Sequence, residues 1–203
     1  MIETEQKLIM SKGDLEKVFQ ALAPKTIKKK HHPRAYYDTP DMQLDQRRVA
    51  LRIQKKKKNG YKQTIKAAME NDGASLVRYE WAFKIAEHKP DKSAIDNPET
   101  LKAVEGIDFS QLLHLFTSDV KRRYFDIELE DGTVEIAFDL GQISLPGSDV
   151  SEELCEIEVE LKSGNPAVID QVVRQIQDIA PAAEISMRSK AERGMNLYRK
   201  HRL

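Results

Sequence analysis

The chain is nearly free of cysteine: Cys155 stands alone among 203 residues, which excludes an intrachain disulfide framework and a cysteine-based zinc site. It has no apolar run near the ~18 residues that span a bilayer, and its N-terminus lacks an apolar signal segment. A cytoplasmic protein without membrane contact is expected. Neither sign of charge is in excess, because 33 Lys and Arg balance 33 Asp and Glu, so the attraction to nucleic acid that a basic surplus brings is not expected either. His31, His32, His88, His114 and His201 show no paired metal-ligand spacing, and none is assigned to catalysis. Internal repeats, low-complexity stretches and linkers are also lacking. With 40% hydrophobic residues the chain can bury a full core, and it reads as one domain over residues 1–203.

What the chain has in quantity is charge, at 33% of residues, and the charge alternates. Glu3, Glu5 and Lys7 occupy every second position of the first strand-like segment, so they project from one face at intervals of roughly 7 Å. Glu3 and Glu5 can bridge a hard divalent cation, and Lys7 can hold the anion that accompanies it. Taken alone, the same string also suits a solvated strand face.

Turn signals and periodicity divide the rest of the chain. Strands are expected at residues 1–10, 36–40, 49–54, 61–67, 76–85, 122–130, 133–139 and 154–162. Asn59-Gly60 and Asp131-Gly132 mark tight hairpins. Helices are expected over Ser11 to Leu22, opened by Ser11 with Asp14 three residues on, and over Pro98 to Glu105, Phe109 to Phe116, Pro166 to Ile179 and Met187 to Tyr198. Lys28 to Arg34 reads as a basic loop that could steer anions, and Lys55 to Lys58 as a solvated hairpin tip.

Sorting strand residues by face gives the same result in each well-marked strand. Glu135 and Asp139 oppose Val134, Ile136 and Phe138, while Glu156, Glu158 and Glu160 oppose Cys155, Ile157 and Val159. Arg52 opposes Leu51 and Ile53; Lys62, Thr64 and Lys66 oppose Tyr61 and Ile65; Arg78 and Glu80 oppose Val77, Tyr79, Trp81 and Phe83. Trp81 and Phe83 are read as outer packing, and Cys155 as an inert thiol on the apolar face. Two architectures fit: a sheet with its charged face in solvent, or a closed sheet with its charged face inward and helices outside. An inward face must pair its charges or bind ions.

The ordered set Glu3-x-Glu5-x-Lys7, Tyr36-Tyr37-Asp38-Thr39-Pro40, Leu51-Arg52-Ile53, Thr64-Ile65-Lys66, Arg78-x-Glu80, Glu135-x-x-x-Asp139, Glu156-Ile157-Glu158-Val159-Glu160 and Ser189-Lys190-Ala191-Glu192-Arg193-Gly194 resembles the CYTH family, the triphosphate tunnel metalloenzymes. The motifs cover essentially the whole chain. Leu115 to Asp119 before Arg122, and the Cys155-Glu156 strand, are most similar to the bacterial inorganic triphosphatase branch. Some members carry a helical CHAD domain downstream, which a chain ending at Leu203 is expected to lack.

The resemblance implies an α+β fold, an eight-stranded closed antiparallel β-barrel with a charged interior and helices packed outside. It implies metal-dependent hydrolysis of inorganic triphosphate or a related compact triphosphate, with adenylyl cyclase, thiamine triphosphatase and non-catalytic polyphosphate binding as alternatives. It assigns Lys7, Arg52, Lys66, Arg78, Arg122 and Lys190 to substrate, with Lys7, Lys66 and Lys190 as catalytic cations. Glu3, Glu5, Asp139, Glu158 and Glu160 would hold Mg²⁺ or Mn²⁺, two ions with substrate. The paired carboxylates of the acidic run fall on Glu156 and Glu158 or, as favoured here, on Glu158 and Glu160. One of Arg122 and Arg123 lines the tunnel, and Glu80 either orients a cation or touches metal. Members often have Arg-x-Arg where this chain has Arg52-Ile53-Gln54, so one expected cation is missing. Members also often dimerise, which allows a homodimer here.

Overall fold

The computed structural model describes residues 2–31, 33–56, 59–69 and 75–201, so the readings on His32, Lys57 and Lys58 lie outside the described residues. Ten strands form one antiparallel sheet: β1 (Ile2–Ile9), β2 (Lys28–His31), β3 (Arg34–Asp38), β4 (Val49–Lys55), β5 (Tyr61–Ala68), β6 (Leu76–Ile85), β7 (Leu113–Leu129), β8 (Gly132–Ser144), β9 (Ser151–Gly164) and β10 (Glu184–Ile185). The helices are α1 (Lys12–Leu22), α2 (Gln43–Gln46), α3 (Pro98–Ala103), α4 (Ala167–Ile179) and α5 (Lys190–His201).

Neighbours run β1-β6-β5-β4-β3-β7-β8-β9, and β9 then pairs back to β1 from Glu5↔Glu160 to Ile9↔Glu156. That last pairing closes an eight-stranded antiparallel barrel. β2 attaches to β7 and β10 extends along β1. Asn59 and Gly60 take positive φ, 39° and 80°, as the β4–β5 hairpin requires.

Closure is stabilised from outside. Leu8, Val134, Ile136, Phe138, Ile157 and Val159 are buried on the outer surface against Leu15 and Val18 of α1 and the stripe Val168, Ile169, Val172, Val173 and Ile176 of α4. On another flank Leu51, Ile53, Ile65, Phe83 and Ile85 pack with Ile95, Val104 and Ile107, and Trp81 packs against this cluster. A third cluster sits at one end, where Tyr36, Phe116, Ile143 and Leu154 meet Met195 and Leu197 of α5. By strand alternation these four share the face of the charged residues, so the inner surface ends in an apolar layer that α5 covers.

Two expectations fail locally. Only Phe109–Gln111 of the expected Phe109–Phe116 helix is helical, a 3₁₀ turn capped by the Asp108 side chain, and Leu113 begins β7. Leu115 and Phe116 point to opposite faces and both are buried, so the apolar run lacks the alternation that marks a half-exposed strand. Lys28 to His31 is a strand rather than a loop. It pairs with the equally basic Lys121 to Tyr124, and its two ends meet acidic side chains, Lys28 Nζ to Asp126 at 3.1 Å and His31 Nε2 to Asp119 at 2.6 Å.

Candidate active site

The barrel surrounds a cavity of about 540 Å³ lined by both carboxylates and cations. Glu3 and Glu5 of β1 and Glu158 and Glu160 of β9 face Arg34 of β3, Arg52 of β4 and Lys66 of β5, with Arg78, Arg122 and Lys190 between them. Each placement follows from register.

The acidic wall is deepest at Asp139, Glu156 and Glu158, whose ligand oxygens lie within 4.8 Å of one another and are all buried. Asp139 is directly opposite Glu156 across β8 and β9, and opposite Arg122 across β7 and β8; Lys7 is opposite Glu158. Three carboxylates in a dry site repel unless cations intervene. Lys190 Nζ sits among all three, 2.7 Å from Asp139, 2.6 Å from Glu156 and 2.7 Å from Glu158. Arg122 grips Asp139 with Nε at 2.7 Å and Nη2 at 2.6 Å and also reaches Glu158. Lys7 Nζ is 3.2 Å from Glu158 and 3.5 Å from Glu156.

Titration follows that geometry. Burial works against the charged forms of Asp139 and Glu158, yet Lys190 and Arg122 outweigh it and hold both carboxyls below their usual range. Burial likewise opposes charge on Lys7 and Lys190, and the neighbouring carboxylates raise both above the ordinary ammonium value.

Lys190 reaches this position because α5 starts there. Ser189 Oγ accepts from the Glu192 N–H at 3.2 Å, and Glu192 Oε2 accepts from the Ser189 N–H at 2.7 Å, a reciprocal capping box that fixes the first turn. Gly194 lets the helix approach the barrel, since a Cβ there would lie 2.1 Å from the Phe116 ring.

Glu3 and Glu5 belong to a second network. Glu3 is 2.5 Å from Lys66 and 3.3 Å from Arg78, and Arg78 also binds Glu5. Glu80 is opposite Lys66 in the sheet, 2.8 Å from Lys66 Nζ and 3.9 Å from Arg52. Burial would raise the Glu80 carboxyl, but Lys66 and Arg52 hold it down at about 2. Glu80 therefore orients cations in this structure. Burial also opposes ionisation of Glu3, and Lys66 and Arg78 keep it below the usual carboxylate range.

The residues left open in sequence now have places. Glu156 and Glu158 join Asp139, whereas Glu160 lines the cavity beside Lys162 at 2.9 Å, with its carboxyl pushed up by burial. Arg122 faces inward; Arg123 lies outside, 3.6 Å over the Phe19 ring and 2.7 Å from Glu16. Arg34, the Tyr36 hydroxyl and Lys62 are among the inner groups that went unassigned in sequence. Burial would raise the Tyr36 phenol, but Arg52, bonded to it, and Arg34 bring it below its usual value. The signal for Arg34 and Tyr36 was their two-residue spacing, which the basic-loop reading of Lys28 to Arg34 hid. Cys155 is only partly buried, and burial raises its thiol as expected of an unreactive cysteine.

The donor set suits a hard divalent cation. Asp139, Glu156 and Glu158 offer only oxygen ligands, convergent and buried.

A family model described as the CYTH domain matches residues 1–195. The chain is similar to a Haemophilus influenzae protein named inorganic triphosphatase, 29% identical over 166 residues that cover 78% of this chain and 44% of that protein. It thus spans less than half the length of that relative. Among solved structures it resembles a candidate adenylyl cyclase from Hippeastrum described as having a dominant triphosphatase activity, with a TM-score of 0.66, 18% identity and coverage of 99% and 97% of the two chains. A candidate adenylate cyclase from Bacillus halodurans aligns with a TM-score of 0.62, 21% identity and coverage of 94% and 96%. At these identities the structures establish a shared fold.

Proposed function

This chain belongs to the CYTH domain family, and from that premise we propose that it is a metal-dependent triphosphatase, hydrolysing inorganic triphosphate or a related compact triphosphate inside its barrel. The observation that carries the proposal is the buried Asp139, Glu156 and Glu158 cluster, which meets the cavity through Glu158 beside the cations Lys7, Arg52, Lys66, Arg78, Arg122 and Lys190 that line it. A compact polyanion accompanied by divalent cations complements a lining that carries both charges. Asp139 and Glu158 with Glu156, and Glu3, Glu5 and Glu160 on β1 and β9 beside them, would hold Mg²⁺ or Mn²⁺, which would supply Lewis-acid neutralisation of phosphoryl charge.

The chain's own residues do the remainder. Arg52, Arg78 and Arg122 offer forked donors to phosphate oxygens, while Lys7, Lys66 and Lys190 act as point charges on the reacting phosphoryl group. In the ligand-free protein these cations are spent on carboxylates. An incoming triphosphate competes for Lys66, Arg78 and Lys190, and the carboxylates so released become ligands for metal. Substrate and metal therefore bind each other's vacated partners. The barrel wall and α5 limit water around the scissile anhydride, which strengthens every charge contact.

The test is phosphate release with Mg²⁺ or Mn²⁺ from inorganic triphosphate, ATP and thiamine triphosphate, with cyclic AMP measured alongside. Release from triphosphate with little cyclic AMP is expected. Release from none of the three overturns the proposal, and cyclic AMP as the main product of ATP assigns the cavity to cyclisation. The same reading places the protein in the cytoplasm as a single catalytic domain; among the described residues no helix is long and apolar enough to cross a membrane.

A further inference from the structure

One part of the inner surface has cations without carboxylates. Ser118, Arg34, Gln54 and Lys62 stand directly opposite one another across β7, β3, β4 and β5, and so form one row on the inner face. Arg34 is buried, and it donates a 3.4 Å hydrogen bond from Nε to the Gln54 side-chain oxygen. Among the described residues no carboxylate lies within ion-pair distance of Arg34, Lys62 or Lys30, whereas Lys7, Lys66, Arg78, Arg122 and Lys190 each hold at least two.

We propose that this row, with Lys30 of β2 opposite the neighbouring Arg122, is a phosphoryl-binding subsite, in which Arg34, Lys62 and Lys30 hold the end of a linear polyphosphate that points away from the Asp139 cluster. The inference rests on the polyphosphate reading above and specifies how the far end of that ligand is held.

Charge is the first argument. Burial and like-charge repulsion together push Arg34, Lys30 and Lys62 below their ordinary values, with Arg52 acting on all three and Arg122 on Arg34 and Lys30. Glu80 opposes the shift at Lys62, Glu135 at Lys30 and Asp139 at Arg34, each from beyond ion-pair distance, and burial and repulsion outweigh them; partly buried cations without a contacting counter-charge are costly, and an anion removes the cost. Unused hydrogen-bonding capacity is the second. Ser118 Oγ and Thr64 Oγ1, in wholly buried residues, and Arg52 Nε have no partner, although buried polar atoms are ordinarily satisfied. A phosphoryl group brings several acceptor oxygens to such donors. Register is the third. Gln54 stands where a second arginine was expected, and the strands on either side of it place Arg34 and Lys62 at the same level. Arg122 adjoins both regions, bound to Asp139 on one side and repelling Lys30 and Arg34 on the other, so one extended anion can reach from the acidic cluster into the row.

Calorimetric titration with inorganic triphosphate, metal removed by chelator, isolates the subsite from turnover. Lys62→Met and Arg34→Met should each weaken binding about 10-fold, the usual effect of losing one charge-assisted contact. Lys62→Arg should retain affinity, and Lys29→Met, which removes an exposed lysine from the neighbouring strand, should stay within about twofold. Lys62→Met should also raise the melting temperature of the ligand-free protein, because it relieves repulsion, so a folding defect cannot imitate the result. Unchanged affinity in Lys62→Met, or an equal loss in Lys29→Met, overturns the subsite. Failure of the unaltered protein to bind triphosphate without metal overturns the subsite and leaves the triphosphatase reading to the phosphate-release assay with metal, whereas binding without hydrolysis under metal supports the subsite and overturns only the hydrolase.

Discussion

Lys190 occupies the centre of the acidic cluster as an ammonium, which makes it a competitor for the cation the cluster suits. Lys190→Met leaves three buried carboxylates with less compensation, and removing one partner of a buried ion network costs about 3 kcal/mol. The chelated variant should therefore melt well below the unaltered protein, and Mg²⁺ or Mn²⁺ should restore its melting temperature by more than the same ion raises that of the parent. Melting curves that ignore added metal would remove the cluster from consideration as a cation site. Lys66 poses the complementary case: it is one of the cations expected to leave its carboxylates for substrate, so Lys66→Ala should raise KM for triphosphate about 10-fold with a smaller effect on kcat. An unchanged KM contradicts that role. Lys62 gives the site a pH dependence. Burial first, then Arg52, Lys30 and Arg34, push its ammonium down to about 8, with Glu80 opposing them. The folded state disfavours the charged form, so the ligand-free protein gains stability as pH rises from about 8 towards the ordinary lysine value. Triphosphate affinity moves the opposite way, falling as pH rises through 8 and the charge is lost. Titrations between pH 7 and 9.5 should show the fall in the parent and a flatter profile in Lys62→Arg.

At the scale of elements, α5 controls where Lys190 sits, and it does so through the capping box of Ser189 and Glu192 at its start and the close contact of Gly194 with Phe116. Gly194→Ala inserts a methyl where the Phe116 ring already stands, stacked on Tyr36 at 4.5 Å and unable to withdraw. Overpacking of this kind costs about 1–3 kcal/mol. The variant should lose that stability in urea and lose kcat as well, because retreat of α5 draws Lys190 from the cluster; stability lost with full activity would show that the helix only caps the barrel. The helices and hairpins were legible where local chemistry fixes them: Ser11 caps α1 through the Asp14 N–H at 3.1 Å, and Asn59-Gly60 turns a hairpin. The choice among Glu156, Glu158 and Glu160 was not. All three share one face by alternation, and which of them meets Asp139 depends on the β8–β9 register, which slips at a bulge between Thr133 and Val134. Arg34 was hidden for a related reason, since a run of lysines beside it resembles a solvated loop until its pairing with β7 is known.

For the molecule as a whole, alternation left open whether the charged face met solvent or itself, and the pairing of β1 with β9 decides it, a contact between the two ends of the chain that local periodicity does not contain. Closure places Glu3, Glu80, Asp139 and Glu158 beside cations, and all four carboxyls lie below their ordinary values despite the burial that opposes ionisation. A carboxyl depressed in the folded state contributes stability that is complete above its unfolded pKa and lost as pH falls towards its folded one. For Glu80 that window runs from the ordinary 4.5 down to about 2. Protonation also strands the partner cations, since Lys66 and Arg52 cannot leave the barrel while it remains closed. Urea midpoints of the chelated protein should thus hold steady from pH 7 to 5 and fall progressively below about 4.5. Glu80→Gln should lower the unfolding free energy at pH 7 by about 2 kcal/mol and reduce the steepness of the acid decline, because its share of the linkage is then gone. A midpoint that stays level to pH 3 would mean that the inward charges contribute nothing to closure, and the apolar shell under α1 and α4 would then have to hold the barrel shut by itself.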